Sequence, residues 1–234
     1  MPIPLSIIIP VYGEAETIHE RVNDLIQLNF PWSVEIIICD GHPQGTTIGE
    51  LEAVSLPGVR CLCAPRGRGP QMNAGARAAR GEIFLFLHAD TGLDQTGADL
   101  LIQAIEGAGS EFQGFCGAFD LAIDAQGPHF RLIEKFATKR SRLTRLPYGD
   151  QALFFSRALF EDVGGFPRVP IMEDVGIMQR VKRAGHRPCF IPHPVSTSAR
   201  RWQEEGALYT TLRNWTLILL YLAGVSPHRL SRFY

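Results

Sequence analysis

A run of large apolar residues, Ile83-Phe84-Leu85-Phe86-Leu87, ends without transition in His88-Ala89-Asp90. No other feature of the chain constrains its fold as much. Runs of this kind, aromatic and β-branched without alternation, read as strands covered on both faces, and such strands belong to parallel sheets flanked by helices. The imidazole and the carboxylate then sit at the strand's carboxyl end, where ligands bind in open α/β sheets. A plainer role is favoured for a lone acid after a strand: Asp90 or Thr91 could cap a helix beginning near Asp94.

The same pattern recurs along the first half. Residues 5–11 form a second apolar run, followed by Tyr12-Gly13-Glu14 and a helix with Ile18, Val22, Leu25 and Ile26 on one face. Residues 34–39 end in Asp40-Gly41 and lead through a Gly/Pro/Thr loop to a short helical piece over 50–54. Residues 59–63 read as a strand, and 69–80 as an Ala-rich helix entering the 83–87 run. Four strands separated by helices predict a mostly parallel, Rossmann-like sheet with right-handed crossovers.

Beyond Asp94 the spacing predicts a helix to 108, a strand or strand pair over 112–123, and a helix over 128–143. A short strand over 152–155, a helix over 157–163 and a second helix opening at Glu173-Asp174 come next. Two closing strands over 187–191 and 195–200 precede a C-terminal helix over 208–225. At 234 residues with 45% hydrophobic content, one core suffices, which predicts a single domain.

The net charge of -1 gives no general pull toward nucleic acid, so phosphate binding must come from local cations. The five cysteines form no CxxC pair, which predicts free thiols and a reducing cytosol. The amino terminus shows no charged n-region with a long apolar core, so no secretory signal is expected, and no run reaches the roughly 18 apolar residues of a membrane span.

Four constellations carry candidate chemistry. Asp40 and Asp90, at neighbouring strand ends, suit a ribose hydroxyl or a hard divalent cation, with His88 beside the second as ribose or diphosphate contact or as a satisfied core histidine. The segment Arg66-Gly67-Arg68-Gly69 leads into a helix amino terminus, a favourable place for an anion, although ordinary Gly/Pro turns look the same. Glu173-Asp174 opens a helix, where acids are common because of the dipole and where a general base could also sit. Arg200-Arg201-Trp202 offers guanidiniums for diphosphate oxygens and an indole for stacking.

Taken in order, Ser6-Ile-Ile-Ile-Pro-Val-Tyr12 with Glu14, the strand ending in Asp40, Asn73-Ala-Gly75, His88-Ala-Asp90, Glu173-Asp174 and Arg201-Trp202 resemble the family-2 glycosyltransferases of the GT-A fold. Within that family, the arrangement is similar to the radical-SAM/selenodomain-associated subgroup. The resemblance implies that residues 1–110 form a nucleotide-binding half and 111–234 an acceptor-side half. It also implies that Pro10, Tyr12, Glu14, Asp40, Asn73, His88 and Arg201 serve the nucleotide, that Asp90 holds Mn²⁺ or Mg²⁺, and that Asp174 is the base. Glu173, Asp150 and Trp202 would meet the donor sugar or acceptor. The implied activity is inverting transfer from a nucleoside-diphosphate sugar, a UDP-sugar foremost, to an acceptor hydroxyl. Two departures stand out: His88 replaces the first acid of Asp-x-Asp, and Ser198 replaces the Gln of the processive Gln-x-x-Arg-Trp.

Two rival readings differ in class. A nucleotidyltransferase would carry its basic glycine loop after the first strand, whereas here the loop follows the third. A noncatalytic sugar-nucleotide-binding protein would account for the missing acid at 88. Lys139, Arg140, Arg142 and Arg145, with the apolar run 217–222, could dock an anionic membrane at its cytoplasmic face. The helical period of the run favours instead a solvated basic helix end beside a core helix.

Overall fold

The computed structural model describes residues 5–52 and 56–234. The first half alternates as the sequence predicts. Strand β1 (Leu5–Val11) leads to α1 (Ala15–Ile26), β2 (Val34–Asp40) to α2 (Thr46–Glu52), β3 (Val59–Cys63) to α3 (Arg68–Ala78), and these run into β4 (Ile83–Phe86). The short helix starts four residues before the expected 50, and the end of that expectation, 53–54, lies outside the described residues. Next come β5 (Thr91–Gly92), α4 (Gln95–Gly107), β6 (Cys116–Asp124), α5 (Pro128–Thr144), β7 (Phe154–Ser156) and α6 (Arg157–Asp162). The chain closes with α7 (Glu173–Arg183), β8 (Cys189–Ser198), α8 (Arg200–Glu205), α9 (Ala207–Leu222) and α10 (Pro227–Leu230).

Among the described residues, eight strands form one sheet in the order β3-β2-β1-β4-β7-β6-β8-β5. The first four are mutually parallel. Strand β7 is antiparallel to both β4 and β6, and β8 is parallel to β6, so β6 and β8 run in the direction of β4. The carboxyl ends of β1, β2, β4 and β8 therefore share one edge. All seven residues of β1 are buried. Ile7 and Ile9 pack with α1 and α4 on one side while Ile8 packs with Met72, Phe84 and Phe160 on the other, as a strand covered on both faces must. Gly75 lets α3 lie close: a Cβ there would stand 2.4 Å from Ile8 Cγ2 and 2.7 Å from Cys39 Sγ.

Several expectations are corrected. Phe112 belongs to a 3-10 turn, Gly109–Gly114, and the strand begins only at Cys116. The two closing strands are one: β8 carries through Pro192 and Pro194 because its register against β6 jumps from Phe119↔Ile191 to Asp120↔Pro194, leaving two residues unpaired in a bulge. His193, placed in that bulge, reaches back to Asp94 at 2.8 Å, and Asp94 also caps α4 by accepting from Gly97 N–H. Ile26 ends α1 facing solvent. The largest correction concerns α9. Leu208, Leu212, Trp215, Leu219 and Leu222, which share one face as expected, point outward, and the core contact comes from Leu217 on the opposite side.

Candidate functional site

At the shared strand edge lies a crevice of about 630 Å³ whose walls include Pro10, Tyr12, Glu14, Arg68, His88 and Asp90. Tyr12 leaves β1 with its ring exposed, the Arg66 guanidinium 4.5 Å above it and the His42 ring 5.4 Å away. Glu14 turns back to accept the Tyr12 N–H. Burial raises the Glu14 carboxyl above its ordinary range, and the charges of Asp90 and Asp40 push the same way against the pull of that N–H.

The basic loop forms the next wall. Gly67 takes φ +118°, a region that favours glycine, and lets the chain turn into α3. Gln71 then holds the corner: its side-chain amide donates to the carbonyls of Val11 at 2.6 Å and Cys39 at 2.7 Å and accepts from Gly67 N–H at 3.2 Å. One buried glutamine thus ties two strand ends to the loop. Arg68 Nε meets Glu173 Oε1 at 2.7 Å. Burial works against the Arg68 charge, but Glu173, Tyr234 and Asp174 together outweigh it and hold the guanidinium protonated; burial pushes Glu173 itself up. Arg201, in α8, bonds the Tyr234 hydroxyl and lies 4.6 Å over that ring. Between the two arginines, His88 is neutral: burial, then Arg68 and Arg201, lower it to about 3.

The crevice continues into a tighter cavity of about 200 Å³ lined by Arg68, His88, Asp90, Asp150, Asp174 and Arg201, with Trp202 and Asn214 beyond them. Met172, at φ +67°, turns the chain sharply into α7 so that Asp174 sits in the helix's first turn. Asp174 Oδ2 accepts the Gly149 N–H at 2.8 Å, and Oδ1 accepts the Val175 N–H at 2.7 Å. Asp150 follows Gly149 in a 3-10 turn; its Oδ1 is sealed and has no hydrogen-bond partner among the described residues. Burial raises Asp150 to about 6 against the pull of Arg140. Arg140 stacks over the Tyr148 ring at 3.1 Å from its centroid, and burial lowers its guanidinium to about 10.

Of the residues singled out from sequence, Pro10, Tyr12, Glu14, His88, Asp90 and Arg201 line the crevice, and Asp150, Asp174 and Trp202 join them in the tighter cavity. Three lie behind these walls. Both Asp40 oxygens are taken by the backbone N–H groups of His42, Thr47 and Ile48. Asn73 is bonded twice to the Phe166 backbone, at 2.8 and 2.9 Å, and Glu173 is buried against Arg68. Sequence reasoning passed over Gln71, Tyr234 and the inward turn of Arg140. Only Arg140 left a signal, ten residues before Asp150 on a helix whose other cations face out. Among the described residues, no three His, Cys, Asp or Glu side chains cluster as a metal cage.

Known proteins share sequence and fold with this chain. The chain is 27% identical to glycosyltransferase AglE of Haloferax volcanii over 195 residues, which is 80% of this chain and 64% of that protein. In fold it is similar to the mannosyltransferase PcManGT of Pyrobaculum calidifontis, solved with GDP-Man and Mn²⁺, at TM-score 0.63 and 23% identity. It is likewise similar to residues 1–349 of S. aureus TarS, solved with UDP-GlcNAc, at TM-score 0.63 and 17% identity. Each covers 85% of this chain, which spans 57% and 58% of theirs. These likenesses establish a GT-A architecture. The model for glycosyl transferase family 2 matches residues 6–164, well over half of the sequence, and the chain belongs to that family.

Proposed function

We propose that the protein moves a sugar from a nucleoside-diphosphate sugar, a UDP-sugar foremost, to an acceptor hydroxyl with inversion, aided by Mn²⁺ or Mg²⁺. The position of Asp174 carries this reading. It shares one small cavity with Arg68, Arg201 and Asp90, which supports a base facing a leaving-group pocket. In-line displacement needs both. Asp174 takes the acceptor hydroxyl's proton as that oxygen attacks the anomeric carbon. The bond from that carbon to the diphosphate oxygen breaks, and the electron pair leaves with the diphosphate toward Arg68 and Arg201.

Tyr12 and Arg66 would hold the nucleoside, with Pro10 beneath. Asp40, Asn73 and Gln71 would act from behind by fixing the loops that shape the crevice. Asp150 and Trp202 would bound the acceptor end. Asp90 suits a divalent cation, because Mg²⁺-like ions are commonly held by one or two carboxylates with substrate phosphates and water. The mutual repulsion of Asp90 and Glu14 gives a cation a reason to settle there. When bound, it supplies charge neutralisation for the diphosphate. The His88-Ala-Asp90 triplet and the Arg201-Trp202 pair support the radical-SAM/selenodomain-associated subgroup as the narrower affiliation, and the cysteine pattern supports a cytoplasmic setting.

The test is Asp174→Asn. Donor affinity should stay within about threefold by calorimetry, while transfer falls by roughly 10²–10⁴, the usual contribution of a positioned base. Near-normal turnover would remove Asp174 from this role.

A further inference from the structure

We infer that the outward face of α5 and α9 is a docking surface for an anionic lipid bilayer. The face is built from two helices in contact. Leu132, Phe136 and Leu143 project from α5 at helical spacing, and Leu208, Trp215 and Leu219 from α9, with the Phe136 and Trp215 rings 6.1 Å apart to join the two rows. Leu143 is 82% exposed, Leu208 74% and Leu219 67%. A continuous apolar face of this kind is uncommon on a surface that meets only water.

Charge decides the occupant. Beside the apolar row of α5 runs a groove lined by Lys135, Lys139 and Arg142. Arg142 is paired with Asp120, whereas Lys135 and Lys139 are exposed, and no ion pair among the described residues engages them. Helix α9 carries no acid, and the single acid of α5, Glu134, is bound to Arg131. A second copy of this face would bring lysines without carboxylates to meet them. Anionic headgroups supply the missing charge while acyl chains cover the leucines and Trp215.

No helix among the described residues is long and apolar enough to cross a membrane. Helix α9 would instead lie along the interface, because its other side packs inward through Leu217 and lines the tighter cavity with Asn214 and Ile218. The docking face is thus the side of α9 turned away from the cavity, and docking would hold the cavity close to the headgroups.

The test is flotation of the full chain, without nucleotide sugar, with vesicles of phosphatidylcholine alone or containing 30 mol% (about a third) phosphatidylglycerol. Binding should require the anionic lipid and weaken with salt. Lys135→Gln and Lys139→Gln should each lower partitioning roughly fivefold, the equivalent of about 1 kcal/mol per lysine. The double variant Trp215→Glu, Leu219→Glu should abolish binding while its circular dichroism and donor affinity stay unchanged. Failure of the wild type to float with anionic vesicles overturns the inference. So does equal flotation of the double glutamate variant, or a concentration-dependent dimer that this variant makes monomeric.

Discussion

Gly149 and Asp174 are joined by a single hydrogen bond in which the Gly149 N–H donates to Oδ2 at 2.8 Å. The bond fixes the carboxylate from a segment 25 residues earlier in the chain. Position 149 is also crowded by His88: a Cβ there would stand 2.8 Å from His88 Nε2, whereas Asp174 Oδ2, at 3.6 Å, would be an ordinary contact. One glycine therefore sets the spacing between a neutral imidazole and the proposed base.

Gly149→Ala should force either the His88 ring or the 3-10 turn to shift, at an overpacking cost of about 1–3 kcal/mol. The chain should still fold, with a lowered melting temperature. Transfer should fall more than about tenfold with donor affinity nearly intact, because misplacing a catalytic group is costly to rate. Initial rates and calorimetry on one preparation check both halves. A variant with full kcat would mean that the spacing is immaterial.

Asp90→Ala should weaken cation-supported binding of a nucleoside diphosphate and leave metal-free binding unchanged, since Arg68 and Arg201 remain. Titration calorimetry in Mn²⁺ and in chelator separates the two. Equal loss under both conditions would make Asp90 a general anchor and remove it from cation binding.

Asp150 gives a pH signature. Its carboxyl is raised by burial from 3.8 to about 6, so the folded protein holds that proton more tightly than the unfolded chain. As pH rises from about 4 to 6 the unfolded state ionises first, and stability is lost, by up to about 3 kcal/mol at 1.36 per unit. Asp150→Asn removes this loss. His88 acts in the opposite sense, lowering stability as pH falls below 6.5, but it is common to both proteins. Denaturant melts at pH 4, 5, 6 and 7 should show the variant's advantage growing across that window. A constant difference would show that Asp150 ionises freely.

The parallel half was legible because two-face burial leaves a mark in sequence: 5–11, 34–39 and 83–87 each read as a strand, and 5–11 and 83–87 end at the crevice while 34–39 ends behind it. What lay outside periodicity was harder to read. Pro192 and Pro194 look like a break, yet a bulge absorbs them, and a bulge depends on the partner strand. The apolar row 208, 212, 215, 219, 222 has the period of a core helix and faces out, because period reports which residues share a face and not which face the fold covers. Within the site, motif order brought Asp90, Asp174 and Arg201 together. The side-chain bonds of Asp40, Asn73 and Gln71 go to backbone groups, which no residue identity announces.

The pair Arg68 and Glu173 allows an asymmetric prediction. Their atoms meet at 2.7 Å, but the Glu173 side chain is 3% exposed and that of Arg68 37%. Arg68→Met leaves a carboxylate in the interior without its partner, whereas Glu173→Gln leaves a guanidinium that still reaches water. Stranding one member of a buried pair costs several kcal/mol, and the solvent access of Arg68 reduces what the pair itself contributes. At pH 8, Arg68→Met should therefore be less stable than Glu173→Gln by about 1–3 kcal/mol. The sign with pH follows from the carboxyl: without Arg68, Glu173 is raised further, so the folded state keeps its proton while the unfolded chain ionises, and stability drops as pH rises. At pH 5 the gap should narrow. Donor affinity separates the two residues again, because of the pair only Arg68 lines the crevice proposed for the diphosphate. Arg68→Met should weaken binding, and Glu173→Gln should change it little. Urea melts at the two pH values with one donor titration each check the scheme, and equal destabilisation at both pH values would show that the pair is no more than a surface contact.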